Sequence, residues 1–301
     1  MIEGVSVGLQ ELIALRRYAQ NGLGKPKRSA LFSGNHISRL RGRGMDFSEV
    51  RNYQAGDEIR HMEWRVTART GRPHVKLYQE ERERPVIILT DFNPSMYFGT
   101  RVAFKSVVAA KLAAVIAWSA IKQGDRVGGV LFSPERQEEF TPRSRETAVL
   151  PLLAALSNYT QSTGNGLSPK PLEEVLMRLR HVTRPGSLLV IISDFYTLNA
   201  EGEKQLGRLR AHNDVLAYQV CDPLELSPPK PACYGMSNGK ESFLLDTRNV
   251  QVRREYQAWC DNRTQTLRDQ LKRVQTPCVQ VTAEANLPLL VRETFTRRAC
   301  V

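Results

Sequence analysis

The sequence predicts an α/β fold in which a parallel β-sheet is covered by helices on both faces. From residue 85 onward, short apolar runs of strand length alternate with longer segments that have helical periodicity. The apolar runs are continuous rather than alternating, which is typical of strands buried on both faces. The chain has 301 residues, 41% of them hydrophobic and 25% charged, so it can enclose a large core as a globular protein.

The elements of this region follow each other in a regular order. Strands are predicted at VIIL (86–89), RVGGVLF (126–132), SLLVII (187–192), VLAYQV (215–220), FLLD (243–246) and CVQVT (278–282), with QEEF (137–140) as a candidate edge strand. Helices are predicted over 102–122, 145–157, 171–180, 203–211, 250–273 and 287–297. Alternation of this kind indicates a parallel sheet with crossover helices.

The first part of the chain has a different character. Residues 7–20 repeat apolar positions at helical spacing, and GLGKPKRS then breaks the pattern with Gly, Pro and charge. The segments that follow are short and rich in Arg and Gly, until HVKLYQEE alternates like a strand. We therefore expect an N-terminal helix in residues 1–24, a basic strand-rich elaboration in residues 25–84 that packs against the α/β domain, and that domain in residues 85–301.

Bulk composition narrows the class of protein. The 43 basic and 31 acidic residues give a net charge of +12, which suits an anionic partner such as nucleic acid, an acidic protein or a membrane surface. Five cysteines without a C-x-x-C pair are predicted to be reduced thiols.

The most apolar stretch, residues 106–121, is interrupted by Lys111 and is too short to span a membrane, and the N-terminus has no signal-peptide pattern. We expect a cytoplasmic protein.

Acidic side chains follow three of the predicted strands. VIILT ends at Asp91, SLLVIIS at Asp194 and VLAYQVC at Asp222. The carboxyl ends of parallel strands lie at one edge of the sheet, and ligands of such folds bind there. We therefore expect these acids to lie at a common, ligand-binding edge.

The first of these acids begins an Asp91-x-Asn93-x-Ser95 pattern, in which three oxygen-bearing side chains can turn toward one point. Oxygen ligands without His or Cys suit Mg²⁺ first, with Mn²⁺ and Ca²⁺ as alternatives. Asp194 and a hydroxyl of the QSTGNGLSPK loop, Thr163 or else Ser168, would complete the site. The alternative is that Asp91 and Ser95 only cap a turn.

This pattern, with a Thr-bearing loop and a strand-terminal Asp, resembles the metal-ion-dependent adhesion site of von Willebrand factor A-type domains. Residues 33–82 resemble the signature block of the family catalogued as domain of unknown function 58, whose members tend to be encoded beside MoxR-type AAA+ ATPases. The matching residues in the block are Phe47, Arg51, Tyr53, Gly56, Asp57, Arg60, Trp64 and the EER of 80–82. CDPLE (221–225) and FLLDT (243–247) match further along.

The resemblance implies a von Willebrand A-type sheet and a metal site used for binding. Asn93 and Ser95 would bind the ion directly, Thr163 directly or through water, and Asp91 and Asp194 mainly through water. Asn93 stands where Ser is commoner. The implied function is a metal-dependent adaptor, not an enzyme. It would bind an acidic protein ligand and work with a MoxR-type ATPase in the maturation or assembly of client proteins.

Two other functions stay open on sequence grounds. A metal-assisted hydrolase would need a general base, yet no histidine lies between residues 75 and 180, and no P-loop or H-E-x-x-H motif occurs. A nucleic-acid-binding protein would use the arginine-rich block, where Arg39, Arg41 and Arg43 alternate and are predicted to form a partner-binding face. Trp64 could stack on a base, but a buried anchor is the expected role. Peripheral contact of this basic face with a membrane also stays open.

Overall fold

The computed structural model describes most of the chain. The described residues are 4–19, 45–54, 57–80, 84–161, 168–237 and 242–295. The chain divides into two compact units, one of Ser33–Glu83 and one of Met1–Phe32 with Arg84–Val301. The helix of residues 9–14 thus belongs with the larger unit.

The strands and helices are numbered along the chain. The strands are β1 Met45–Asn52, β2 His74–Glu80, β3 Pro85–Asp91, β4 Arg126–Phe132, β5 Gln137–Arg143, β6 Leu188–Ser193, β7 Asp214–Val220, β8 Cys233–Ser237, β9 Ser242–Asp246 and β10 Cys278–Val281. The helices are α1 Leu9–Ala14, α2 Trp64–Thr70, α3 Lys105–Lys122, α4 Val149–Gln161, α5 Leu172–Val182, α6 Ala200–His212, α7 Pro223–Leu226, α8 Val250–Arg273 and α9 Leu287–Phe295.

The larger unit is built on a six-stranded sheet in the order β10-β7-β6-β3-β4-β5. Neighbouring strands are parallel except β5, which pairs antiparallel with β4 at one edge. The predicted α/β class is therefore confirmed, and QEEF does lie in an edge strand. FLLD, which the sequence predicted among the strands of this region, lies instead in a separate antiparallel hairpin of β8 and β9.

Helices cover both faces of this sheet because successive strand residues point to opposite sides. On one face, residues such as Val86, Ile88 and Val190 pack against α1, α3, α4 and α9. On the other, residues such as Ile87 and Leu89 pack against α5, α6 and α8. Covering on both faces explains why the strand sequences are apolar at consecutive positions. None of the described helices combines the length and apolarity that crossing a bilayer requires.

The smaller unit is an antiparallel pair of β1 and β2, with a bulge between Phe47 and Glu49. Helix α2 lies between these strands in the chain and ends at Gly71, whose positive φ of 67° permits the tight turn into β2. The predicted strand-rich block therefore also contains a helix. Asp57 accepts a 2.7 Å hydrogen bond from Arg51, an ion pair within this unit.

The sequence predicts a buried tryptophan and a partner-binding set of arginines in this block. Trp64 is 64% exposed, so the prediction of a buried anchor was wrong. The described part of this unit consists mainly of one strand pair and one short α-helix, which leaves little apolar surface to cover Trp64. Arg39, Arg41 and Arg43, the predicted partner-binding arginines, lie outside the described residues.

Gly128 offers a test of how β4 and β5 fit together. A Cβ at this position would lie 2.4 Å from the Phe140 carbonyl oxygen, at the irregularity in the β4–β5 pairing. Gly128→Ala should lower the free energy of unfolding by about 1–3 kcal/mol, because backbone must move to accept the methyl group. Urea denaturation would measure the loss. Gly235→Ala is the matched control, since its Cβ meets nothing within 4 Å; equal midpoints for the two variants would contradict the packing described.

Candidate functional site

The carboxyl edge of the sheet brings the first two strand-terminal acids together. Thr90 of β3 pairs with Ile192 of β6, so Asp91 and Asp194 emerge side by side, and both are almost fully buried. The Ser193 hydroxyl donates a 2.6 Å hydrogen bond to Asp91 Oδ2, and the Asn93 backbone N–H donates to Asp91 Oδ1 at 2.8 Å. Asp91 thus ties the two neighbouring strand ends to each other.

A lysine that the sequence reasoning did not single out occupies the centre of this edge. Lys105 is the first residue of α3 and is only 2% exposed. Its Nζ donates to Asp194 Oδ2 at 2.8 Å and to Glu225 Oε1 at 2.6 Å. Burial alone would lower the pKa of Lys105, but the charges of Asp194 and Glu225 outweigh it and raise that pKa, so the side chain stays an ammonium.

The third strand-terminal acid has a structural role at the same edge. Asp222 caps α7, accepting from the Leu224 N–H, while Glu225 reaches back to the Asp222 N–H in a capping box. Asp222 also accepts two hydrogen bonds from Thr100, one from its N–H and one from its hydroxyl. The CDPLE segment therefore holds Glu225 where one of its oxygens can meet Lys105.

The side-chain amide of Asn93, another predicted ligand, is hydrogen-bonded to the backbone of the loop before α5. The Asn93 amide bonds the backbone of Lys170 twice, donating to its carbonyl at 3.1 Å and accepting from its N–H at 2.7 Å. Ser95 is half-buried in the turn Pro94–Met96, and Ser168 is exposed. Thr163 lies outside the described residues. Asn93 thus fastens the loop before α5 to the end of β3.

This donor set does not fit the predicted divalent cation. Each carboxylate oxygen of Asp91 and Asp194 already accepts a protein hydrogen bond. A divalent ion bound by Asp194 would also lie a few ångströms from the buried Lys105 ammonium, and repulsion between like charges is strong in a low-dielectric interior.

The surroundings of Asp91 shift the pKa of its carboxyl group. Burial, and after it the nearby charge of Asp194, raise the pKa of Asp91 to about 7, against the opposing effects of Ser193, Asn93 and Lys105. A carboxyl group with this pKa loses its proton near neutral pH. Ser193, its hydrogen-bond partner, is fully buried, so this serine is not placed to attack a substrate.

Beside the buried charges lies a surface of aromatic and basic side chains, which we call the edge face and define as Tyr196, Tyr256, Trp259 and Arg263. The Arg263 guanidinium lies 3.2 Å from the centroid of the Tyr196 ring and donates to the Asp194 carbonyl at 3.1 Å. Tyr256 donates to the Leu224 carbonyl, and its ring meets Trp259 edge-on at 6.0 Å. Trp259 is 49% and Tyr196 37% exposed.

Sequence reasoning missed both Lys105 and the edge face. The spacing of Tyr256, Trp259 and Arg263 is three and then four residues, which places them on one side of a helix and could have indicated a shared surface. No local signal could have indicated Lys105, because its two partners are 89 and 120 residues away along the chain.

The fold and this edge define the class: a mixed α/β protein whose mostly parallel sheet ends in a buried, internally paired charge cluster. The chain belongs to the family described as protein of unknown function DUF58, whose model matches residues 49–266. This range extends from β1 into α8 and includes the whole charge cluster.

Two mycobacterial proteins are similar to this chain over about two thirds of its length. The chain is 29% identical over 205 residues to the uncharacterized proteins Mb1516 of Mycobacterium bovis and Rv1480 of Mycobacterium tuberculosis, and the match covers 68% of this chain. This chain spans 64% of the length of each of these relatives.

Two solved structures resemble the chain weakly. The conserved hypothetical protein BatB from Bacteroides thetaiotaomicron has a TM-score of 0.41 at 14% identity. An aerotolerance-related membrane protein from Bacteroides fragilis has a TM-score of 0.44 at 13% identity. Each match covers 70% of this chain and 96% of the other.

The raised pKa of Asp91 predicts a specific dependence of stability on pH. The pKa rises from 3.8 to about 7 on folding, so the folded state holds a proton that the unfolded state releases. The resulting stabilisation is complete below about pH 4 and is lost as the pH rises toward 7. Asp91→Asn should remove this loss, which is worth about 1.4 kcal/mol for each unit of pKa shift. Urea unfolding at pH 5 and pH 8 measures it.

The control for this experiment is Asp246→Asn. Arg248 lowers the pKa of the exposed Asp246 to about 2, so this group is ionised throughout the range from pH 5 to pH 8. Its replacement should leave the pH dependence as in the wild type. If the stability of the wild type depended on pH in the same way as that of Asp91→Asn, this result would contradict the burial of an ionisable Asp91.

Proposed function

We propose that the protein is a cytoplasmic interaction adaptor, not an enzyme, which binds an acidic protein partner through the edge face. The resemblance to MoxR-associated proteins makes a MoxR-type AAA+ ATPase the proposed partner, in the maturation or assembly of client proteins. The resemblance to von Willebrand A-type domains, which bind partners at the same edge of the sheet, supports this proposal. Energy for remodelling would come from the ATPase, because the chain has no P-loop motif.

The observation that carries the proposal is the composition and support of the edge face. Tyr, Trp and Arg are the residue types most enriched among those that dominate binding energy at protein interfaces. Here Tyr196 and Arg263 are held by contacts to each other and to the end of β6, so little side-chain entropy remains to be lost on binding. The half-exposed Trp259 supplies apolar area beside them.

Charge around this face favours an acidic partner. Helix α8 carries six Lys and Arg residues against three Asp and Glu residues. Asp194 and Glu225, two acids whose charges act on Tyr196, are paired with Lys105. The surface charge offered to a partner is therefore mainly basic, and this attracts an acidic protein and speeds its association.

An adaptor role also fits the chemistry of the buried cluster. Its carboxylates, hydroxyl and ammonium are shielded from solvent and bonded to one another, so they are placed to stabilise the edge rather than to transfer protons to a substrate. The contacts of the cluster extend to the backbone that positions Tyr196 and Arg263.

The proposal predicts that Trp259 is needed for binding of the ATPase. Trp259→Ala should weaken the affinity for the MoxR-type ATPase roughly 30-fold or more, because a central interface tryptophan contributes about 2 kcal/mol or more. Surface plasmon resonance with the purified ATPase measures the change, and circular dichroism checks the fold. Trp64→Ala, at the exposed tryptophan of the other unit, is the control and should bind as the wild type does. Equal affinities for wild type and Trp259→Ala would refute the edge face as the contact.

A second candidate function is favoured by the exposure of Trp64. Arg60, Arg65 and Arg69 are exposed nearby in the sequence of the same unit. An aromatic side chain among arginines is the combination with which single-stranded nucleic acids are bound, since bases stack on the ring and cations contact phosphates. Under this alternative the chain would bind nucleic acid through Ser33–Glu83.

The alternative makes its own prediction. The affinity for a labelled single-stranded oligonucleotide, followed by fluorescence anisotropy, should fall steeply between roughly 50 and 200 mM salt as counterions are released. Trp64→Ala should weaken it by about 1–3 kcal/mol through loss of stacking, whereas Trp259→Ala should not. Weak binding without a salt slope would remove this candidate.

A further inference from the structure

We propose that the Lys105 ammonium is the resident cation of the sheet edge, in place of the divalent metal that the Asp91-x-Asn93-x-Ser95 pattern predicts. The edge then resembles a metal site in which an ammonium takes the place of the ion. Removal of the lysine side chain should convert the edge into a site that accepts a divalent ion. This inference concerns the chain alone and stands apart from the identity of any partner.

The geometry of the ammonium supports this assignment. Lys105 Nζ lies within hydrogen-bond distance of one oxygen of Asp194 and one of Glu225, at 2.8 and 2.6 Å. It also lies 5.1 Å from the centroid of the Tyr196 ring, on which a cation is attracted by the negative face. The buried positive charge is therefore surrounded by groups that stabilise a cation, as a bound metal would be.

Local structure shows that the lysine is held in this place. Lys105 begins α3, where the helix dipole disfavours a positive charge, so the two carboxylates must compensate. The loop before it is closed by hydrogen bonds from the Lys105 N–H to the Phe98 carbonyl and from the Phe104 N–H to the Gly4 carbonyl. Gly99 permits this closure, since a Cβ there would lie 2.4 Å from the Ala103 carbonyl oxygen.

The other strand-end groups complete a cluster that needs no second cation. Asp91 is satisfied by Ser193 and by the Asn93 N–H, and the Asn93 amide is bonded to Lys170. Without the Lys105 ammonium, the buried Asp194 and the partly buried Glu225 would be neighbouring anions without this counterion, which is strongly unfavourable. Oxygen donors left in that state would attract a hard divalent ion.

Titration with Mn²⁺, followed by the electron paramagnetic resonance signal of the free ion, tests the inference. The wild-type protein should take up no Mn²⁺ at the edge in the millimolar range. Lys105→Ser, which replaces the ammonium with a small oxygen donor, should bind one ion per chain and gain thermal stability when Mn²⁺ or Mg²⁺ is added. The double variant Lys105→Ser with Asp194→Asn should lose the gained ion.

The outcomes separate clearly. Uptake of one ion by the wild type that Asp91→Asn abolishes would overturn the inference, as would a folded Lys105→Ser protein that takes up no ion. Wild-type uptake that survives Asp91→Asn comes from elsewhere on the surface and leaves the assignment in place. If Lys105→Ser fails to fold with or without Mn²⁺, the comparison of wild type with Asp91→Asn decides alone. None of these readings depends on whether the ATPase binds.

Discussion

The ion pairs of Lys105 with Asp194 and Glu225 are the interaction on which the carboxyl edge of the sheet depends. They connect the start of α3, the end of β6 and the short helix α7, three elements that are far apart in the chain. Buried charges of this kind add little net stability, but removing one partner leaves the others uncompensated. The pairs therefore serve chiefly to fix one arrangement of the edge, and the edge face is built on that arrangement.

Much of the fold could be predicted because its strands are covered on both faces. Continuous apolar sequence marked β3, β4, β6 and β7 within a residue or two, and helix α8 was predicted with its observed bounds. These elements follow from local patterns. The exposure of Trp64 does not follow from a local pattern. Whether a side chain is buried depends on how much of the fold surrounds it, and a larger unit would offer more apolar surface to cover a tryptophan.

The site illustrates the limit of motif reasoning. The sequence correctly indicated that Asp91 and Asp194 meet at one edge, since parallel neighbouring strands end together. It gave no means of deciding which cation balances them. A metal leaves a local signature of ligands in its loop, whereas a lysine on a following helix looks like any other basic residue at a helix terminus. Only the register of α3 against the sheet reveals that its side chain points inward.

The antiparallel edge strand β5 has a consequence for the behaviour of the protein at high concentration. Its sequence QEEFTPR carries two glutamates, an arginine and a proline, and much of the strand is exposed. Charged side chains repel a second strand, and a proline lacks the N–H that such a strand would bond. The β5 edge of the sheet is in this way protected from adding further strands, which disfavours ribbon-like self-assembly through this edge.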